Sequence, residues 1–593
     1  MAASDDPEAR WSDRSKDLEY SYYHATTDVP FTADTLHGLL DKKAAELSDK
    51  EAYVFLQEGA PRKAITFKDM KTKTEQLAAA LVEKMDLRHG DRVGILSLNC
   101  LEFPIIEFSL SRIGVILVKI HTVLKSGEDV MFILKKTDCR CLFVRPGHDQ
   151  AFYNILSTFL PELSSHDPEE PLNSPEVPDL EFVVTMSDDS FPGTIAWDSL
   201  FPVEYDREVL RTRQSRVDFD AFSTIFLTSG STGFPKAVLV TQQHITNLWL
   251  HNFLQAGISR SDRYLSECPL THPVGFCSGP VLLGHTLIII QNRAGQCTEK
   301  TATFICKTIE DEKITSGAFF PYVLHDLLVA CESGKHNLET LKIGFIGGQC
   351  VPRVFMTKGL QYIPSLLQIY GNTESGHLLC TRRHDDLHHR MDVTGLPLPH
   401  TEAKIVDRDG VVLPVNQLGE LYVRTPLGFI CYWGDLERTM KSLTSQRWFK
   451  TNDVAVMDER GYVTILGRNT EVINRAGFKT HPVDIERPLF EHPKIKQAVV
   501  VGVPDECLGE EICVCVTPKA DASISEEELR TFCEDTFLAP ENAVDNLGKT
   551  PKYYLVWENF PVRLGKIDRR AIKADATEKL VHRSELLSKL LKD

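Results

Sequence analysis

The sequence predicts an α/β protein with more than one domain: a parallel sheet faced by helices, then a barrel-like or meander subdomain, then a smaller unit. Three observations carry this. Helical and extended periodicities alternate through the first part of the chain, as a parallel sheet with helices on its faces requires. A turn-rich, β-rich stretch runs over 401–466. Beyond Arg468, βαβ-like strands are expected at 498–503 and 511–516. A length of 593 residues exceeds what one compact core supports.

The elements follow in order. Residues 1–34 read as a polar arm that gains order near Phe31. Residues 35–47 have helical spacing, 64–67 are extended, and 70–85 are helical again. Residues 92–96 form a strand and 100–113 a helix. Pro161, Pro168, Pro171, Pro175 and Pro178 stand among acids and mark 161–178 as an exposed loop. Residues 222–227 read as a buried strand and Val238-Leu239-Val240 as a second. Neither an internal repeat nor a low-complexity tract interrupts the pattern.

Composition narrows the function classes. Hydrophobic content of 42% and charged content of 25% are ordinary for a globular protein. A formal net charge of −17 argues against a nucleic-acid partner, since no basic surplus exists to neutralise a phosphate backbone. Any bound nucleotide must be held by local charge. The 15 cysteines show no paired CxxC spacing and read as reduced core residues. Cys139 with Cys141, and Cys513 with Cys515, are expected to share a strand face. No apolar run has the length of a membrane span. Asp5, Asp6, Glu8 and Asp13 make the N-terminus unlike a secretory signal or an acid-poor transit peptide, so the cytosol is expected.

Between the strands at 222–227 and 238–240 stand Thr228, Ser229, Gly230, Ser231, Thr232 and Gly233, then Phe234, Pro235, Lys236 and Ala237. Small residues let backbone N–H groups approach phosphate oxygens, hydroxyls add donors, and Lys236 supplies a point charge. A Walker loop has four residues between its glycines and Ser or Thr after the Lys. Here two residues separate Gly230 from Gly233 and Ala237 follows Lys236, so that motif is excluded. A polar surface hairpin is the bland alternative.

Further motifs occur in a fixed order: Pro269 to Gly275 with His272, then Tyr370-Gly371-Asn372-Thr373-Glu374. Gly419-Glu420-Leu421 leads to Tyr432-Trp433-Gly434-Asp435, followed by Thr451-Asn452-Asp453, Gly467-Arg468, and Pro561 to Lys566. Together with the Ser/Thr/Gly loop these resemble the adenylate-forming superfamily, over roughly residues 35–575. The resemblance implies a large N-terminal domain (35–467) of doubly wound α/β subdomains plus a β-barrel-like subdomain. It also implies a hinge (468–471) and a small, mobile α+β C-terminal domain (472–593).

The superfamily activates a carboxylate with ATP to an acyl adenylate, and the resemblance carries roles onto this chain. The loop from Thr228 to Lys236 would hold the β- and γ-phosphates. Glu374 would bind Mg²⁺ and Thr373 would touch the α-phosphate. Tyr370, with Gly371 and Asn372 beside it, would stack near the adenine, and Gly348 and Gln349 would line the adenine and acyl sites. Asp453 would accept from the ribose hydroxyls with Arg468 beside it. Lys566 is the expected catalytic cation of the first step, and His272 joins the catalytic group. Thiol attack on the same carbonyl needs a second arrangement of the cavity, hence domain motion, with Gly477 leaving room for the pantetheine arm.

Departures from the motifs are few. Asn452 replaces a Gly, and Asn tolerates positive φ better than most residues. Thr470 stands at the hinge where Asp or Lys is usual. By resemblance the substrates are a carboxylic acid, ATP and coenzyme A. The His272 segment offers no Asp for an α-ammonium group, and the residues beyond Lys566 are too few for a carrier domain. Trp249, Phe276, Phe319, Phe320, Tyr322 and Phe345 are candidate apolar pocket walls, favouring a fatty or aryl acid. Residues 21–31 and 122–143 are most similar to medium-chain acyl-CoA synthetases of the family member 2 type, whose mitochondrial members set an alternative compartment. The alternative functions are adenylation with a non-CoA acceptor, as in luciferases or carrier-protein loading, and a catalytically silent binding protein.

Overall fold

The structure is a computed structural model that describes residues 17–122, 126–147, 150–228, 235–291, 299–348, 351, 353–475, 478–505, 508–519, 522–538, 549–563 and 566–590. The expected site residues Ser229, Gly230, Ser231, Thr232, Gly233, Gln349 and Gly477 lie outside the described residues.

Two large sheets organise the N-terminal part. An eight-stranded sheet has Arg92–Leu96 at its centre, flanked by Ile116–Ile120 and Cys139–Val144, all parallel. Phe222–Thr228 pairs parallel to Ile116–Ile120, then antiparallel to Lys236–Thr241, so the Ser/Thr/Gly loop is the connection of a hairpin. A nine-stranded sheet carries Ile343–Gly347 between Ser316–Phe319 and Ser365–Asn372, again parallel. The near-continuous burial of these strands is what coverage on both faces demands. Helices start where the hydroxyl residues permit: Thr35 and Thr66 cap Leu36–Glu46 and Phe67–Met85 through their side chains. The α/β reading of the sequence holds throughout this region.

The barrel-like subdomain is a five-stranded antiparallel sheet: Tyr22–His24, Glu402–Val406, Gly419–Arg424, Phe449–Met457 and Val463–Arg468. Order in the arm therefore begins well before Phe31, because Tyr22–His24 adds an edge strand and buries Tyr23. The segment 161–178 runs over the surface, but Leu163, Leu172 and Val177 are buried beneath it, so it is pinned rather than fully exposed.

In the C-terminal domain, Ile495–Asp505 and Gly509–Pro518 pair antiparallel as a hairpin, not as the expected βαβ unit. Too few residues separate them for a crossover helix. Tyr553–Val556 does add parallel to Gly509–Pro518. Cys513 and Cys515 share a face with their sulfurs 3.9 Å apart. Cys139 and Cys141 do not: a register shift at Arg140 sends them into clusters on opposite faces. Among the described residues no helix is long and apolar enough to cross a membrane.

One buried ion pair secures the strand that leads into the Ser/Thr/Gly loop. Lys119, on Ile116–Ile120, places its Nζ 2.8 Å from Glu107 Oε1 on the helix Glu102–Ile113, with both side chains buried. The ammonium also lies 5.3 Å and 5.1 Å from the ring centroids of Phe103 and Phe226. Lys119 and Phe226 are cross-strand partners, and Thr228 follows two residues later. Removing one partner strands the other charge in the core. We expect Lys119→Met to cost about 3–5 kcal/mol in denaturant unfolding, and Lys119→Met with Glu107→Leu to recover most of that loss.

Candidate active site

Asp453 sits where three parts of the molecule meet. Asn452 adopts φ +58°, a left-handed conformation that the substitution of Asn for Gly tolerates. The strand Phe449–Met457 is irregular there against Gly419–Arg424. Thr451 Oγ1 donates to Leu421 O at 2.7 Å and accepts from Asp453 N at 3.1 Å, fixing the turn that presents Asp453. The buried carboxylate receives the Tyr370 hydroxyl on one oxygen and Arg468 Nε at 2.9 Å on the other. Arg468 is its cross-strand partner and also donates from Nη1 to Thr451 O at 3.1 Å. Burial raises the Asp453 carboxyl above the usual aspartate range, although Arg468, the Tyr370 hydroxyl and Lys566 all oppose the rise.

Tyr370 reaches this point from Ser365–Asn372 of the nine-stranded sheet, whose register shifts between Tyr370 and Gly371. A Cβ on Gly371 would lie 2.3 Å from Gly376 O, so only glycine allows the close turn that follows. Thr373 and Glu374 occupy that turn, between Ser365–Asn372 and Gly376–Cys380. Asn372 Oδ1 accepts from Ser375 N at 2.7 Å and ties the turn together.

Lys566 comes from the C-terminal domain, on a hairpin formed by Val562–Arg563 and Lys566–Ile567. It crosses to the other domain: a Cβ placed on Gly348, where φ is +87°, would lie 3.6 Å from Lys566 Cε and 3.1 Å from the Phe320 ring. Lys566 keeps accessible surface because it projects into a cavity, yet protein surrounds it on most sides. Desolvation first, then Arg468, lower its pKa, while Asp453 and Glu374 pull the other way.

His272 lies 6.0 Å from the Phe320 ring, measured between centroids. Val274 N donates to His272 Nδ1 at 3.2 Å, which leaves Nε2 to carry the proton of the neutral ring. Burial and then Lys566 push this histidine well below its usual pKa, so it stays neutral.

A second cluster lies around Glu374. Its Oε1 accepts from the Tyr432 hydroxyl at 2.7 Å, and its backbone carbonyl accepts from Phe429 N at 2.6 Å. Lys236 Nζ stands 5.0 Å above the centroid of the Tyr432 ring. Desolvation lowers the Lys236 pKa, partly offset by Glu374.

Gly348, Tyr370, Gly371, Asp453, Arg468 and Lys566 border one cavity of about 470 Å³ between the domains. Glu471 and Arg569 close its far side, with Arg569 2.7 Å from Glu486 and 3.7 Å from Glu471. A larger crevice of about 1040 Å³ opens elsewhere, but none of the expected site residues borders it. There Arg145 pairs with Glu102 at 2.9 Å and Lys300 with Glu58 at 3.4 Å.

The structure therefore brings Tyr370, Gly371, Asp453, Arg468, Gly348 and Lys566 together, and places Thr228, Lys236, Asn372, Thr373, Glu374 and His272 on strands and turns around them. Of the expected pocket walls, Trp249, Phe276 and Phe345 pack on one another with centroids 4.4 Å and 5.5 Å from Trp249, whereas Phe320 stacks on Tyr322 beside His272. Sequence reasoning missed the work of Tyr432. Its motif was visible, but pairing of Cys431–Tyr432 with Lys236–Thr241 was not.

Comparison with known proteins agrees with this geometry. Residues 40–433 match the AMP-binding enzyme family and residues 484–560 its C-terminal domain. The chain is 30% identical to the mitochondrial medium-chain acyl-CoA ligase ACSF2 of Danio rerio, over 95% of this chain and 91% of that protein. It is 29% identical to the putative acyl-CoA synthetase YngI of Bacillus subtilis, over 92% and 97%. The anthranilate CoA ligase AuaEII bound to anthranoyl-AMP superposes with a TM-score of 0.78 at 20% identity, covering 93% of this chain and 99% of that one. The o-succinylbenzoate CoA synthetase MenE of Bacillus subtilis gives 0.71 at 22%, covering 91% and 98%. The matched length and the two-domain fold show that this chain belongs to the AMP-binding enzymes of the adenylate-forming superfamily, as an AMP-forming ligase of the acyl-CoA synthetase branch.

Proposed function

We propose that this enzyme joins a fatty acid, of medium chain length, to coenzyme A in two steps: acyl-AMP and pyrophosphate form first, then acyl-CoA and AMP. The observation that carries the reading is the approach of Lys566, from one domain, to Gly348 and the Asp453–Arg468 pair of the other. That arrangement suits adenylation. The buried Asp453 carboxylate accepts from ribose hydroxyls, Tyr370 lies along the adenine, and Lys566 neutralises charge building between the carboxylate and the α-phosphorus. Thr228 and Lys236, at the ends of the Ser/Thr/Gly loop, take the departing phosphates. His272, neutral with its proton on Nε2, orients the acyl carboxylate beside Phe320. The chain-length reading rests on the medium-chain ligases among the relatives and on the aromatic residues near His272.

Glu374 fits a Mg²⁺ ion. Magnesium favours one or two carboxylates plus substrate phosphates over an all-protein cage. Among the described residues no cluster of three or more acidic, His or Cys side chains could hold a metal alone. Glu374, a single carboxylate with one oxygen held by Tyr432, meets the first description. When bound, the ion would offset phosphate charge.

For thiol attack, residues 472–593 would turn about 468–471 and withdraw Lys566. In this structure Asn469–Glu471 form one short 3₁₀ turn, with Thr470 exposed.

Purified protein with MgATP and a panel of fatty and aryl acids should release pyrophosphate and form an acyl thioester only when CoA is present. Pyrophosphate without thioester would shift the acceptor away from CoA, and ATP binding without turnover would mark a silent relative. Lys566→Ala should slow acyl-AMP formation about 10²–10³-fold while sparing CoA attack on supplied acyl-AMP. Because the Lys566 pKa is lowered, adenylation should fall on the alkaline side below the usual lysine range of about 10.4, and the thioester step should lack that limb. Asp453 has the opposite sign: its raised carboxyl protonates earlier on acidification. The acid limb of kcat/KM for ATP should therefore lie above the ordinary carboxylate range, move higher in Arg468→Gln, and vanish in the residual activity of Asp453→Asn.

A further inference from the structure

We propose that Tyr432 is a positioning residue, holding Glu374 ready for a cation while keeping Lys236 directed at phosphate; this rests on the adenylation reading above. Glu374 and Lys236 belong to different sheets and carry opposite charges. Each feels the other's charge, and closing into a direct ion pair would take from each the partner it needs in catalysis on that reading. Tyr432 lies between them. Its hydroxyl donates to Glu374 Oε1 at 2.7 Å, and the face of its ring lies 5.0 Å from Lys236 Nζ. One carboxylate oxygen is thereby saturated in a defined direction, and the ammonium rests on a π-face that attracts it without neutralising it.

The tyrosine is itself held. It is buried, and its backbone N donates to Thr439 Oγ1 at 2.9 Å. Cys431–Tyr432 pairs antiparallel to Lys236–Thr241, with Val238 opposite Tyr432, so the ring is locked to the strand that Lys236 begins. Phe429 packs on it at 4.9 Å between centroids and also ties down the Glu374 carbonyl through its backbone N–H. Asp435 caps the helix Leu436–Ser442 that follows.

Two variants separate the functions of ring and hydroxyl. Tyr432→Phe keeps the ring under Lys236 and removes the hydroxyl. It should weaken Mn²⁺ binding to the enzyme–ATP complex, read by electron paramagnetic resonance, by about 10-fold or more. The Mg²⁺ needed for half-maximal pyrophosphate release should rise in parallel, while the melting temperature and CoA attack on supplied acyl-AMP stay at wild-type values. Tyr432→Leu should add a higher KM for ATP. Wild-type Mn²⁺ affinity in Tyr432→Phe would overturn the proposal, as would equal loss in both half-reactions. Glu374→Gln is the control for the underlying reading: if it leaves Mn²⁺ affinity unchanged, the cation does not use Glu374 and the proposal falls with that assignment.

Discussion

The arrangement of this enzyme depends on one buried carboxylate. Asp453 is 4% exposed, and an ionised carboxylate at that depth is stable only with hydrogen bonds and countercharge. No single element supplies them. Tyr370 comes from the nine-stranded sheet, Arg468 from the last strand before the C-terminal domain, and Lys566 from that domain itself. The requirement to compensate one charge therefore brings two sheets and a second domain to the same point. That point is also where a nucleotide's ribose meets its phosphates on the proposed reading.

The domains are held in this arrangement by modest contacts. Lys496 reaches Asp326 at 3.3 Å, Phe490 meets Phe355 with centroids 5.8 Å apart, and Arg569 lies near Glu471 beside the hinge turn. Ion pairs of this partly exposed kind contribute about 0–1 kcal/mol each. Contacts that weak fit the domain motion proposed above. The rigid parts, by contrast, are secured by burial: Lys119 with Glu107 beside the strand leading to the Ser/Thr/Gly loop, and Tyr432 against Lys236–Thr241.

Much of this was legible in the sequence, and the failures have definite causes. The strand Arg92–Leu96 and the helix Leu36–Glu46 follow from local periodicity and a hydroxyl cap, and Asn452 at positive φ follows from side-chain chemistry. Errors arise where one residue changes a register or a distant partner decides. The bulge at Arg140 separates Cys139 from Cys141, which period-two counting cannot see. Tyr22–His24 becomes ordered only because Glu402–Val406, far along the chain, offers an edge. The bond from Tyr432 to Glu374 spans two sheets, so motif order exposes both residues without showing that they touch.

Charge also explains how a chain with a net −17 can host a polyanion and then release part of it. Lys566, Arg468 and Lys236 converge on the site, with Arg438 adding to the field at Lys236. Desolvation is the main cause of the lowered pKa of both lysines; Arg468 adds to it, while Asp453 and Glu374 oppose it at Lys566 and Glu374 and Asp435 oppose it at Lys236. On the proposed reading, the phosphates of ATP would offset the repulsion between Lys566 and Arg468 while the C-terminal domain is docked, and departure of pyrophosphate would remove that offset. The first step would then bias the domain toward the second, because the cation proposed to promote adenylation is the group repelled once pyrophosphate has gone.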